Sequence, residues 1–330
     1  MKELIEKLVS AYGPSGFEDA VREIIRPEVE AYADEIRVDA LGNLIVRKQG
    51  DGSGRRVMVA AHMDEIGVMV THVTREGFLR FTNIGGVFVH HLMGSRVQFA
   101  DGTTGVVYGE KLEDRSKVHP LSKHYIDVGA SSREDVPVAV GAAAAFVGPF
   151  EQQGELYIAK SLDDRIGCAI AIAALQRLEA TPHDLYVVFS VQEEVGTRGA
   201  QAAANAIEPE IGLAIDVTGT GDTPGAAEMA VELGKGTAIK AKDRDMIAHA
   251  GLVQLMRQRA GEAGIPYQME VLEPGSTDAR SIQIAGAGSA AGAISVPCRY
   301  VHSQSEVVHA GDVENSVRLL VELLSRPIDL

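Results

Sequence analysis

The chain has 330 residues, 45% of them hydrophobic and 23% charged, which is the composition of a globular protein with room for more than one domain and excludes a disordered or fibrous one. Its net charge of −15, with no block of Lys or Arg, argues against nucleic acid or an anionic membrane as the main partner. Two isolated cysteines, Cys168 and Cys298, are too few for a disulfide framework or a cysteine-based zinc site, and they fit a reducing cytoplasm.

The first residues form an amphipathic helical pattern with mixed charges, unlike a signal peptide, and no apolar run is long enough to cross a bilayer. Leu4, Leu8, Val9 and Tyr12 keep helical spacing until Gly13-Pro14-Ser15-Gly16 breaks it. A second amphipathic helix is expected over 18–33, interrupted at Pro27, and then a hairpin from 36–38 and 44–46. Val57 to Ala61 is a continuous apolar strand ending in His62-Met63-Asp64-Glu65.

From about residue 71 to 153 the pattern changes to short alternating segments punctuated by glycines, which reads as a small all-β domain, barrel-like or PDZ-like, inserted into the first. It holds His90, His91, His119 and His124, whose spacing matches no metal motif and favours surface or packing roles. From 154 to 330, strands and helices alternate. Strands are expected at 156–160, 186–191, 211–215, 267–271 and 290–296, and helices at 166–178, 200–206, 248–263 and 310–325. Gly275-Ser276-Thr277-Asp278-Ala279 reads as a loop. The expected fold is α/β, a mostly parallel sheet flanked by helices, made of segments 1–70 and 154–330 around the insert.

The apolar run 186–191 ends in two adjacent carboxylates, Glu193 and Glu194, where charge is costly unless a cation offsets its desolvation. His62 and Asp64, Asp163 and Asp164, Asp216, and His302 also sit at predicted strand ends, and in a parallel sheet such ends share one edge. Imidazoles with carboxylates and no thiolate suit Zn²⁺, Co²⁺ or Mn²⁺ better than Ca²⁺. Each residue also has an ordinary structural role open to it. The histidines read equally as hydrogen-bonded core residues, Asp163 and Asp216 as caps, and Asp64 as an arginine partner.

The motifs Ala61-His62-Met63-Asp64-Glu65-Ile66-Gly67, Lys160-Ser161-Leu162-Asp163-Asp164-Arg165, Val191-Gln192-Glu193-Glu194-Val195-Gly196, Ile215-Asp216, Gly275-Ser276-Thr277-Asp278-Ala279 and Arg299-Tyr300-Val301-His302-Ser303, in this order, resemble the tetrahedral aminopeptidases. These are co-catalytic metallopeptidases related to glutamyl and leucyl aminopeptidases, and the resemblance covers nearly the whole chain. It implies two divalent ions, Zn²⁺ or Co²⁺, one held by His62, Asp163 and Asp216 and the other by Asp163, Glu194 and His302. Glu193 then matches the general base that deprotonates the attacking water, and Asp64 the carboxylate that orients His62. A cis peptide is implied between Asp163 and Asp164. Implied too are peptide substrates with a free N-terminus and assembly through the insert into a homo-oligomer, as in the hollow tetrahedral dodecamers of relatives. The insert departs from relatives at the bland run Gly141-Ala142-Ala143-Ala144-Ala145-Phe146.

Two other enzyme classes compete. A glycoside hydrolase of the endoglucanase type is disfavoured because adjacent Glu193 and Glu194 cannot readily flank a sugar at the ~5–9 Å that reaction needs, and the chain has no Trp. A metal-dependent deacylase or carboxypeptidase shares the metal logic. A scaffold that has lost activity is disfavoured by the intact ligand and base positions. Lys240, Lys242 and Arg244 are candidates for recruiting acidic side chains or are merely solvated, and neutral aliphatic substrates are the expectation.

Overall fold

The four apolar runs ending near His62, Ser190, Asp216 and Arg299 become the centre of one sheet. Arg56–His62 pairs in parallel with Asp184–Ser190 on one side and Ile211–Thr218 on the other, and Ile211–Thr218 pairs in parallel with Ala290–Arg299. Their continuous apolar character follows from burial on both faces. Val57, Val59 and Ala61 pack under the helices Lys2–Ser10, Asp19–Val29 and Leu162–Arg177, whereas Met58 and Ala60 pack against Arg198–Ile207 and Asp278–Gln283. The computed structural model describes residues 1–112, 114 and 117–330.

Antiparallel neighbours flank this parallel core, so the α/β sheet is mixed. Leu44–Gln49 and Glu35–Val38 extend it beyond Asp184–Ser190 as the expected hairpin. Glu306–His309, Leu156–Ala159 and Glu151–Gln153 extend it beyond Ala290–Arg299. Short connections join Glu35–Val38 to Leu44–Gln49, Glu151–Gln153 to Leu156–Ala159 and Ala290–Arg299 to Glu306–His309, while the parallel pairs need helical crossovers. The helix Leu162–Arg177 is buried over almost its whole length, which explains why it is rich in alanine and apolar all round.

Six short strands close a barrel in the order Gly67–Val73, Leu79–Ile84, His124–Asp127, Thr104–Gly109, Arg96–Phe99, Ala143–Phe146. Its core is its own, built from Val68, Leu79, Val97, Phe99, Val107, Ile126 and Phe146. The bland alanine run is the strand that closes the barrel: Ala143–Phe146 is wholly buried and pairs with both Gly67–Val73 and Arg96–Phe99. Its partner strand carries glycine where the two backbones approach closely. A Cβ on Gly67 would lie 2.7 Å from the Ala144 carbonyl oxygen.

Three local expectations change. The second helix runs through Pro27 to Val29 before a 3-10 turn. Thr237–Lys242 is a strand, with Lys240 fully buried and its charge met by Glu270 on the neighbouring strand Tyr267–Val271. The segment read as a loop at 275–279 turns at Thr277 into the helix Asp278–Gln283, and the Thr277 hydroxyl accepts from the Ala279 N–H at 3.3 Å.

Candidate metal centre

The parallel strands deliver their C-terminal ends to one edge, and the singled-out residues meet there. His62 is the last residue of its strand, Asp216 lies within Ile211–Thr218, and Glu193–Glu194 and His302 follow the ends of theirs by three or four residues. Asp163 lies in the first turn of Leu162–Arg177. Its Oδ1 is 3.0 Å from His62 Nε2 and its Oδ2 is 3.3 Å from His302 Nε2, so one carboxylate spans two imidazoles. Glu194 Oε2 is 3.2 Å from His302 Nε2, and Asp216 Oδ1 is 4.0 Å from His62 Nε2. Asp163 thus lies between a His62–Asp216 pair and a Glu194–His302 pair, and donor atoms of His62, Asp163 and Glu194 also come within 4.8 Å of one another.

Asp164 also comes within 4.8 Å of the His62 and Asp216 donor atoms, but its oxygens are occupied by the chain. Oδ2 accepts from the His62 N–H at 3.2 Å and Oδ1 from the Gly167 N–H at 3.0 Å. The Asp163–Asp164 peptide is cis.

A second layer orients these groups. His62 Nδ1 donates to the Asp64 carbonyl at 3.1 Å and faces its carboxylate at 3.5 Å, which leaves Nε2 unprotonated toward Asp163 in the neutral ring. The Asp64 carboxylate does more than orient His62. Its oxygens accept the Glu193 N–H at 2.9 Å, the Glu194 N–H at 3.1 Å and the Ser15 hydroxyl at 2.6 Å, pinning the Glu-Glu pair to the His62 strand. The arginine partner considered for Asp64 belongs to its neighbour: Arg165 reaches Glu65 at 3.3 Å, and Lys160 reaches the other Glu65 oxygen at 2.6 Å.

Sequence reasoning missed Glu306, which accepts from the Asp163 N–H at 3.0 Å and the His302 N–H at 2.8 Å. The same signal that marked Glu193, a carboxylate abutting a buried apolar run (here Val307-Val308), was present there. It also missed Gly86, whose carbonyl accepts from His302 Nδ1 at 2.9 Å, and His91, whose Nδ1 donates to the His302 carbonyl at 3.2 Å. Packing roles do hold for His124 and His119, which meet the backbone carbonyls of Pro120 and Glu110.

The electrostatics are those of a cation site. Burial pushes Asp164, Glu193, Glu194 and Asp216 above the usual carboxylate range, and neighbouring carboxylates add to the effect. Burial alone would lower the His62 imidazole, but Asp163 and Asp64 overcome it and hold it well above its ordinary value. This excess of buried acid, with two imidazoles among it, fits divalent ions of the zinc and cobalt type.

The centre opens into a cavity of about 580 Å³ whose walls include Glu193, Arg244, Asp245, Leu272 and Arg280. Arg244 is paired there with Asp245 at 3.0 Å. Of the other basic candidates, Lys240 is spent on Glu270, and Lys242 donates to the Asp243 carbonyl at 2.8 Å. Asp278 is buried behind Ser190, whose hydroxyl donates to it.

The sequence pattern of the M42 glutamyl aminopeptidases matches residues 42–319, which contain every one of these ligand candidates. The chain belongs to the M42 glutamyl aminopeptidase family. A protein of Acetivibrio thermocellus whose name carries the word aminopeptidase is 49% identical over 327 residues, 98% of each chain. The structure of an aminopeptidase from Desulfurococcus kamchatkensis superposes with a TM-score of 0.95 at 38% identity, covering 99% of this chain and 95% of that one. A TET peptidase of Pyrococcus horikoshii, described as assembling into a tetrahedron or a large octahedral shell, gives a TM-score of 0.86 at 35% identity, with 98% of each chain covered. As a member of this metallopeptidase family the chain is an aminopeptidase, a hydrolase of peptide bonds, and neither the glycosidase nor the deacylase alternative is favoured.

Proposed function

We propose that this enzyme removes N-terminal residues from peptides with two divalent ions, Zn²⁺ or Co²⁺, held by His62, Asp163 and Asp216 in one half-site and by Asp163, Glu194 and His302 in the other. The observation that carries this is the Asp163 carboxylate, whose two oxygens face the Nε2 atoms of His62 and His302. Bound there, the ions supply Lewis acidity, making water a nucleophile near neutral pH and polarising the scissile carbonyl.

The remaining work falls to the chain. Glu193 opens to the cavity next to ligand Glu194, takes the proton of the attacking water and returns it to the leaving amine. Positive charge in the half-sites offsets the burial and like-charge repulsion that raise the Glu193 carboxyl above its ordinary range. Asp64 is a positioning residue, holding the Glu193 and Glu194 backbone through both carboxylate oxygens. Pairing of Arg244 with Asp245 and the apolar Leu272 in the cavity wall support a neutral aliphatic first residue.

Assembly into a homo-oligomer through the barrel, a tetrahedral dodecamer, is supported by the similarity to the shell-forming peptidase and by exposed apolar side chains on the barrel, Phe88, Tyr108 and Val140 among them. A cytoplasmic location is supported by Cys168 and Cys298, both buried and unpaired, and fractionation of the source cells tests it.

The functional test is a panel of aminoacyl chromogenic amides and their N-acetylated forms, before and after chelation, with Zn²⁺ or Co²⁺ restored. Cleavage of the free-amine forms alone, lost on chelation and regained with metal, is expected. Glu193→Gln is expected to lower kcat by about 10²–10⁴-fold with metal content unchanged. Cleavage that survives full chelation sinks the proposal.

A further inference from the structure

The two imidazoles of the centre are held very differently. His62 ends a central strand and is 2% exposed, whereas His302 is 24% exposed and sits in a turn where both it and Tyr300 adopt left-handed backbone, at φ 63° and 61°. Non-glycine residues rarely adopt that conformation unless surrounding contacts impose it. Here the contacts come from outside the turn.

Glu306 grips the His302 N–H with one oxygen at 2.8 Å and the Asp163 N–H with the other at 3.0 Å, so one carboxylate ties two ligand-bearing segments together. The ring is set from the barrel. Gly86, just after the strand Leu79–Ile84, presents its carbonyl to His302 Nδ1 at 2.9 Å. A carbonyl only accepts, so in the neutral ring the proton stays on Nδ1 and the Nε2 lone pair faces Asp163 and Glu194. A side chain at this point would push the ring out of place: a Cβ on Gly86 would lie 2.6 Å from both Cε1 and Nδ1 of His302.

We propose that Gly86 and Glu306 are positioning residues that set the affinity of the half-site formed by Asp163, Glu194 and His302, so that the barrel takes part in building the metal centre. The proposal rests on the ligand assignment above. It also explains two adjacent glycines at the barrel's edge. Gly85 has φ 73°, and a Cβ there would crowd Glu194 Cβ and Oε2 at 3.0 Å, so both its backbone and its closeness to the half-site favour glycine.

The test titrates Co²⁺ calorimetrically into metal-free full-length protein, after checking that each variant keeps the wild-type thermal transition. Groups that orient a metal-binding histidine typically change metal affinity by about 10–100-fold. Gly86→Ala is therefore expected to weaken one of two Co²⁺ ions by that factor and leave the other within about twofold. Glu306→Gln, which turns an acceptor into an amide donor against a backbone N–H, is expected to weaken the same ion. In a His302→Ala background, Gly86→Ala is expected to add nothing, because it acts through the imidazole. Wild-type affinity for both ions in Gly86→Ala and Glu306→Gln overturns the proposal, as does an additive loss on top of His302→Ala. Wild-type binding by His302→Ala itself would instead overturn the ligand assignment beneath it.

Discussion

Glu18 shows how a residue outside the ligand set feels the centre. Its Oε1 accepts from the Gly16 N–H at 2.7 Å and the Gln192 N–H at 3.1 Å, tying the N-terminal segment to the chain just before Glu193. Burial, reinforced by the Asp64 charge, raises its carboxyl from 4.5 to about 7. The folded pKa lies above the unfolded one, so the unfolded chain loses this proton first as pH rises. Stability from this group is therefore greatest below about pH 4.5 and falls until about pH 7. Glu18→Gln keeps the acceptor and removes the charge. Its stability relative to wild type, measured by urea denaturation, is expected to rise between pH 5 and 8 by at most about 3 kcal/mol, at 1.36 kcal/mol per pKa unit. A difference that is flat with pH contradicts this account.

Among elements, the strand Asp184–Ser190 has to stop where its carboxylates can turn toward the centre, and Asn43 marks that point. Asn43 is fully buried at the hairpin. Its Oδ1 accepts from the Val191 N–H at 3.0 Å, and its Nδ2 donates to the Gly199 carbonyl at 3.0 Å and to Asp39 at 2.6 Å. The side chain satisfies two backbone groups that flank Glu193–Glu194 and lie out of reach of water. Asn43→Ala leaves the Val191 N–H unpaired, and a loss of about 1–3 kcal/mol is expected for one buried group. A wild-type midpoint in urea would show the turn to be held elsewhere. The sequence showed Asn43 only as part of a tight connection, because its partners lie 148 and 156 residues away.

At the scale of the whole molecule, the barrel is tied to the catalytic sheet by more than its two chain crossings. Gly86 and His91 reach His302, and the Tyr12 hydroxyl donates to the Ala143 carbonyl of the closing strand at 3.0 Å. The barrel exposes Val106, Tyr108 and Val140, apolar side chains that a contact between subunits would cover. Light scattering on purified protein is expected to give a mass several times 35.1 kDa, up to twelvefold. A monomer at micromolar concentration would remove the assembly proposal without touching the catalytic one.

What the sequence determined by itself was set by short-range pattern. Apolar runs long enough to be buried strands, each ending in a carboxylate or imidazole, told that the ends carry chemistry, since charge at such places has to be offset. The order of those endings was specific enough to point to the family before any contact was known. Tertiary structure alone decided which oxygen of Asp163 faces which histidine, that Asp164 is consumed by backbone N–H groups, that Lys240 is an internal counter-ion of Glu270, and that Glu306 and Gly86 hold His302. Those contacts join positions separated by tens to hundreds of residues. A one-dimensional pattern records that a residue is buried or charged, whereas its partner depends on how strand register and crossovers bring distant backbone together.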